Sequence, residues 1–291
     1  MNNERKNNVL RENLEICEKR RNLLLKQYRL CADTLALSLC NEFPSASAEE
    51  LYLRFKEIVP INDAVITAIL CRHIASKKET SSSYISESLF SQIGMNDSPT
   101  AGSHGRISYV RNRYNDFAYE RFSEIVRNAK FSYAPSFVQS CEDVINGVCE
   151  YVILPIENTS DGRLFGFYSM LDRYELRICA VTTIENDEAL NVQYALVGKT
   201  VPRRLKKEEN CNFEFSISRE DDSRLVDFLR VAHEFSAIPK KIDTLRLEYD
   251  QELYKYYFTF CIPCNEAYAF SLYLSLEYPN YTPIGLYPTE E

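Results

Sequence analysis

Tyr151-Val152-Ile153-Leu154-Pro155-Ile156-Glu157-Asn158-Thr159-Ser160-Asp161-Gly162 is the stretch where the chain changes character. Tyr151–Leu154 reads as a buried strand, being a short apolar run. The octapeptide behind it presents a carboxylate, an amide and two hydroxyls before a glycine. In open α/β sheets ligands bind at the carboxyl ends of strands, so Glu157, Asn158, Thr159 and Ser160 form a candidate site. A second reading stays open: a strand end, a turn and a cap for a helix from Leu164.

Working outward, strands and helices alternate on both sides. Upstream, the pattern predicts a strand at Ile107–Val110 and a helix at Phe117–Val126 with Asp116 as cap. An extended piece at Lys130–Tyr133 and a helix at Val138–Gly147 come next. Downstream it predicts a helix at Phe165–Arg173 and strands at Leu176–Val181 and Val192–Gly198. Such alternation implies a mostly parallel sheet with helices on its faces. Beyond the charged linker 202–210, alternation in Phe213-Glu214-Phe215-Ser216-Ile217 opens another segment. A helix at Ser223–Phe235, strands at Ile242–Tyr249 and Tyr254–Ile262, a helix at Asn265–Glu277 and a strand at Thr282–Leu286 complete it. This βαββαβ order is ferredoxin-like.

The N-terminal part is helical. Leu10, Leu14, Cys17, Leu24, Tyr28, Cys31 and Leu35 recur at threes and fours, predicting one helix from about Asn8 to Cys40. A second is expected at Ala48–Ile58, capped by Ser47, and a third from about Asn62 to Lys78. The stretch from Asn96 to Gly105 reads as a linker. The expected architecture is an α+β multidomain chain: a helical module over 1–95, an α/β module over 105–201 and a ferredoxin-like module over 211–291.

Bulk properties narrow the function. The 291 residues carry a net charge of −8 with no basic stripe, which argues against nucleic acid. No apolar run reaches the ~18 residues of a membrane span. The N-terminus is polar and does not read as a signal peptide, so the ten cysteines are expected as reduced thiols in the cytoplasm. Cys261-Ile262-Pro263-Cys264 is a lone CxxC without a second pair for zinc, and reads as a strand end. The three histidines, His73, His104 and His233, lack metal-ligand spacing, so no metal and no cofactor is expected.

Taken with its flanks, the octapeptide resembles the Pro-Ile-Glu-Asn-Ser/Thr signature of prephenate dehydratases. The whole chain resembles a shortened bifunctional chorismate mutase–prephenate dehydratase with a C-terminal ACT domain. Asp143 to Tyr151 resembles that family's helix and central strand, and Gly162, Tyr168, Leu171 and Arg177-Ile178 match the family's continuation beyond that strand. The resemblance implies half of a periplasmic-binding-protein-like dehydratase. Its second lobe is missing, because the chain passes almost directly from Val181 to Asn191. The returning strand then has Val192-Gln193-Tyr194 where the family has Thr-Arg-Phe. The family's Gly-Pro-x-Gly loop is replaced by Arg111-Asn112-Arg113-Tyr114-Asn115.

In the mutase-like part, Arg11 sits where a substrate-clamping arginine is expected. Tyr28 and Leu39 fall where an arginine and a lysine are expected, and Thr80, Ser81 and Ser82 where a glutamine or glutamate is expected. In the ACT-like part, Ser223-Arg224-Leu225-Val226 corresponds to Gly-Ala-Leu-Val and Asp243-Thr244-Leu245-Arg246 to Glu-Ser-Arg-Pro. Pro283-Ile284-Gly285-Leu286-Tyr287-Pro288 matches the closing strand.

The resemblance implies residual catalytic candidates in Glu157, Asn158, Thr159, Ser160 and Arg11. It implies ligand contacts at Arg111, Arg113, Leu225, Val226, Asp243 and Thr244, although Leu225 and Val226 also read as helix-face core. Prephenate loses water and CO2 together, which needs an acid, cations for its carboxylates and shielding from water. With the arginine, the threonine and a lobe gone, the expectation is a catalytically impaired relative acting as a regulatory or scaffold protein. An active dehydratase making phenylpyruvate, with or without chorismate mutase activity, and an ACT-type sensor of an aromatic amino acid are the alternatives. The implied partners are a second copy of the chain and an aromatic amino acid or prephenate-like anion.

Overall fold

The computed structural model describes residues 2–59, 64–78, 82–85, 87–96, 105–185, 191–219, 225–246 and 254–289. The chain forms two compact units, Met1–Lys77 and Lys78–Glu291. Among the described residues no helix is long and apolar enough to cross a membrane.

The first unit holds helices α1 (Asn2–Glu42), α2 (Ala48–Ile58) and α3 (Ala64–Lys78). Ser47 caps α2 as expected, its hydroxyl accepting from the Glu50 amide at 3.1 Å. The buried apolar residues include Ala32, Ala36, Leu39 and Cys40 of α1, Leu51 and Phe55 of α2, and Val65, Ile66, Leu70 and Ile74 of α3. His73 Nε2 lies 2.7 Å from Asp33 Oδ1. Every residue from 11 to 31 is exposed, so the apolar positions Leu14, Leu24 and Tyr28 are not covered by the described residues.

The second unit is built on one mixed sheet of ten strands. Strands β1 (Arg106–Val110), β2 (Lys130–Ala134) and β3 (Tyr151–Asn158) are mutually parallel in the order β2-β1-β3. Their crossovers are α5 (Arg113–Ser123) and α6 (Phe137–Ile145), as parallel neighbours require. Two-residue β4 (Gly162–Arg163) folds back on β3, and α7 (Phe165–Tyr174) comes after it. Strands β5 (Arg177–Glu185) and β6 (Asn191–Gly198) then form an antiparallel pair, with β6 antiparallel to β3 as well. The sheet is therefore mixed rather than mostly parallel. Glu185 pairs with Asn191, so the two strands need only a short link and no crossover helix.

The remaining strands are β7 (Asn210–Arg219), β8 (Ile238–Arg246), β9 (Tyr254–Pro263) and β10 (Tyr281–Pro288). Helices α8 (Leu225–Glu234) and α9 (Cys264–Glu277) complete the βαββαβ order. Their spatial order is β10-β7-β9-β8, antiparallel throughout. Gly285 of β10 pairs with Ile178 of β5 and so joins both halves into one sheet. A Cβ on Gly285 would lie 2.7 Å from the Ile178 backbone oxygen, closer than real side chains approach.

Several local expectations are corrected. Helix α5 starts at Arg113 under Asn112, whose side chain accepts from the Asn115 amide at 2.8 Å. Asp116 is not its cap; its carboxylate accepts from the Tyr109 hydroxyl at 2.9 Å. A short helix, α4 (Glu87–Gln92), has no counterpart in the sequence pattern; it contacts α9, and Asn96 bridges to Thr200. Val226 is 79% exposed on α8 and is not core. Ser223, Arg224, Thr80, Ser81 and His104 lie outside the described residues. Cys264 opens α9, so the CxxC spans a strand end and a helix start.

Candidate functional site

Strand β3 does not end at Leu154 but runs on to Asn158. Pro155, which cannot donate to a ladder, is accommodated where the β3–β6 register jumps between Pro155 and Glu157. Such a bulge is a usual place for proline inside a sheet. Its extra residue, Ile156, lets both Ile156 and Glu157 line one cavity.

Asn158 ends the strand and is used up by the turn. Its side-chain oxygen accepts from the amides of Ser160 (2.9 Å) and Asp161 (2.6 Å), and its nitrogen donates to Asp161 Oδ2 at 2.9 Å. This is the local mimicry by which asparagine stabilises turns. Gly162, at φ 68°, completes the hairpin. Thr159 and Ser160 are exposed and do not line the cavity. Leu164, at the start of α7, makes no side-chain cap bond, so the expected polar cap is absent there.

Behind the turn lies a buried charge network. Arg163, 5% exposed, donates from Nε to Asp243 Oδ2 at 2.7 Å and from Nη2 to Thr259 Oγ1 at 3.1 Å. Its Nη1 pairs with Glu214. Its guanidinium stacks over the rings of Tyr168 and Tyr257, at 4.6 and 5.6 Å from their centroids. Glu214, 1% exposed, also accepts from the Tyr168 hydroxyl at 2.8 Å and the Tyr287 hydroxyl at 3.0 Å. Burial, the largest influence, lowers the Arg163 pKa, but the Glu214 charge, Tyr168 and the hydrogen bonds to Asp243 and Glu214 together outweigh it and leave the pKa raised. Burial, and after it the Glu214 charge, pushes the Tyr168 hydroxyl well up, so it is a donor.

The cavity, of about 330 Å3, opens beside this network. Its polar wall is Glu157, Arg163, Gln193, Asn212, Glu214, Lys240, Lys241 and Thr259, and its apolar wall includes Ile156, Val181, Tyr168 and Tyr287. Lys241 Nζ lies 2.6 Å from Glu157 Oε1 and 3.6 Å from Asp243 Oδ2. Glu157 and Asp243, singled out separately in the sequence, are thus brought to one lysine.

The other sequence candidates stand elsewhere. Arg111 and Arg113 stack on Tyr133 and Phe117 and do not line the cavity. Neither do Leu225, Val226 or Thr244, and Arg11 is an exposed residue of the other unit. Sequence reasoning missed Arg163, Asn212, Glu214, Lys240 and Lys241. Glu214 carried a signal, a carboxylate between two core phenylalanines.

No protein-family model matches the sequence, and no curated protein matches it. Solved structures do. One described as GqqA, a novel type of quorum quenching acylase, has a TM-score of 0.52 at 14% identity, over 65% of this chain and 97% of that one. A prephenate dehydratase from Streptococcus mutans has a TM-score of 0.51 at 16% identity, over 62% and 97%. A prephenate dehydratase from Arthrobacter aurescens, solved with L-Phe, has 0.49 at 10% identity, over 63% and 90%. The chain therefore has a prephenate dehydratase-like fold. A fold found in both a dehydratase and an acylase does not by itself fix a reaction.

Proposed function

We propose that this chain is a relative of the prephenate dehydratases that has lost turnover and acts as a regulatory or scaffold protein. One observation carries this reading: two of the three cations that line the cavity, Lys241 and Arg163, are already held by internal carboxylates. Lys241 is held between Glu157 and Asp243, and Arg163 between Glu214 and Asp243. Prephenate carries two carboxylates, and a carboxylate taken out of water needs a cation or several donors. Gln193 stands where the resemblance expects an arginine, and Asn158 is committed to its own turn. Nothing in this arrangement presents an acid to a leaving hydroxyl while clamping two anions.

The test is turnover of chorismate and of prephenate by the purified, folded protein, following phenylpyruvate. The expected result is no rate above the uncatalysed background. A rate abolished by Glu157→Ala would overturn the proposal and favour an active dehydratase. The same reading makes the chain a homodimer, supported by the uncovered apolar residues of α1, among them Leu14, Leu23, Leu24 and Leu30. Analytical ultracentrifugation checks that part, and a monomer at tens of micromolar would refute it.

A further inference from the structure

The large sheet ends in two edge strands, β2 and β8, and the two are made differently. An open edge offers unpaired amides and carbonyls to any extended chain, and proteins usually blunt it with proline, bulges or lysines. All three devices are present in β8: Pro239, a register jump between Pro239 and Lys241 with Lys240 as the extra residue, and the lysines themselves. In β2 there is no proline and no bulge. It pairs with β1 in unbroken register, from Lys130 opposite Arg106 to Ala134 opposite Val110.

Lys130 donates its amide to the Gly105 carbonyl at 3.0 Å, so Lys130, Ser132 and Ala134 turn their backbone groups to β1. Successive residues of a strand hydrogen-bond to opposite edges. The amides and carbonyls of Phe131 and Tyr133 therefore point outward, with no backbone partner among the described residues. The same two residues carry exposed rings, 54% and 46% accessible, with centroids 5.0 Å apart. Tyr119 of α5 backs Phe131 at 5.7 Å, and buried Tyr109 backs Tyr133 at 5.3 Å. The Tyr109 hydroxyl, donating to Asp116, ties this platform to α5. Rigidly backed aromatic side chains of this kind are the usual anchors of an interface.

Cations stand at both ends of the edge. Arg111 lies over Tyr133, its Cζ 5.2 Å from the ring centroid, and Arg127 and Lys130 stand where the strand begins. All three are exposed and make no ion pair among the described residues. The Asp116 carboxylate beneath the platform is already engaged by Tyr109. In a chain of net charge −8 this edge is a local basic exception. A second copy is a poor occupant. Antiparallel pairing of two β2 edges about Ser132 brings the Lys130 of each chain to the Arg111 end of the other, and like charges set opposite each other are destabilising.

We infer that β2 is a docking edge for an acidic, extended segment of a partner protein, which adds to the sheet as a further strand. Its backbone pairs with Phe131 and Tyr133, its apolar side chains lie on the two rings, and its carboxylates meet Arg111 and Lys130. Strand addition takes affinity from main-chain bonds and specificity from alternate side chains. The choice of a protein partner rests on the regulatory or scaffold reading given above.

The experiment is fluorescence anisotropy of the full chain with a labelled heptapeptide alternating glutamate and valine, beside its lysine–valine counterpart. Saturable binding of the glutamate peptide is expected, with the lysine peptide weaker by about tenfold or more. Two further glutamate peptides, each N-methylated on one alternate set of residues, separate main-chain pairing from plain charge attraction. One of them should lose about tenfold or more and the other keep its affinity, because only one set faces β2. Arg111→Glu/Lys130→Glu, at exposed positions, should invert the preference between the glutamate and lysine peptides and leave the melting temperature unchanged. Phe131→Pro removes an outward amide and a ring and should abolish binding, and an edge strand tolerates proline where its N–H faces away from the sheet. Equal binding of the glutamate and lysine peptides, full affinity in both methylated peptides, or no binding at millimolar concentrations would each overturn the inference. So would a dimer that Phe131→Pro dissociates, because the edge would then belong to a second copy. Prephenate turnover would instead overturn the earlier reading and leave the peptide results standing, so the two failures are distinguishable.

Discussion

Replacing Glu214 by glutamine removes the central charge of the network while keeping its shape. Three donors converge on this carboxylate: Arg163, Tyr168 and Tyr287. Arg163 is left with Asp243, a partner whose side chain is 24% exposed and which also faces Lys241. Breaking a buried ion pair from one side costs about 3–5 kcal/mol. Retention of Asp243 favours the lower end, about 3 kcal/mol. A unit of this size loses roughly 2–4 °C of melting temperature per kcal/mol, so the variant should melt about 6–12 °C lower. Calorimetry, with a denaturant titration to show an unchanged m-value, is the assay. In the double variant Arg163→Met/Glu214→Gln the uncompensated guanidinium is gone, and the loss should be less than the sum of the single losses by about 1–3 kcal/mol. A drop below about 2 °C for Glu214→Gln, or strict additivity, would refute the claim that this network is desolvated and coupled.

Other consequences are local. Gly285→Ala forces a Cβ to within 2.7 Å of the Ile178 backbone oxygen and should destabilise the larger unit by about 1–3 kcal/mol, read by urea unfolding. Asn158→Ala removes the side chain that holds the 158–162 turn; it should cost about 1 kcal/mol, read by urea unfolding, and speed proteolysis there. The thiols of Cys141 and Cys179 are pushed up by burial from 9.0 to about 12. The folded state then keeps protons that the unfolded chain gives up, so stability falls as pH rises from about 9 towards 12, by up to about 1.4 kcal/mol per pH unit for each group. Melting under reducing conditions should be flat near neutrality and steepen above pH 9, with a shallower alkaline slope in Cys141→Ala/Cys179→Ala.

Much of the fold was legible because periodicity reports burial. The α2 boundaries and the Ser47 cap follow from composition alone, since a capping hydroxyl before an amphipathic run has few other uses. The βαββαβ order was legible for the same reason, each strand carrying its own alternation. The polarity of the β5–β6 pair was not, because antiparallel and parallel strands share a period of two. The pairing of β10 with β5 was not either. It depends on the absence of one Cβ at Gly285, and a sequence does not say what a glycine is making room for.

The site was legible only in part, for a reason that lies in the bulges. Reading a strand by alternation assigns adjacent residues to opposite faces, so Lys240 and Lys241 could not both be given to one wall, nor Ile156 and Glu157. Of the octapeptide, polarity drew attention to Glu157, which lines the cavity, while the equally polar Asn158 serves its own turn. Asp243 was visible only through the resemblance of the C-terminal part. Arg163 lies 80 residues from Asp243 and 51 from Glu214, its two carboxylate partners, beyond any local pattern. Pro155 was the available clue: a proline within an apolar strand requires an edge or a bulge, and an interior strand leaves only the bulge. That single residue shifts the register by one, turns Glu157 toward Lys241, and so joins the end of β3 to β8 through a side chain rather than a backbone ladder.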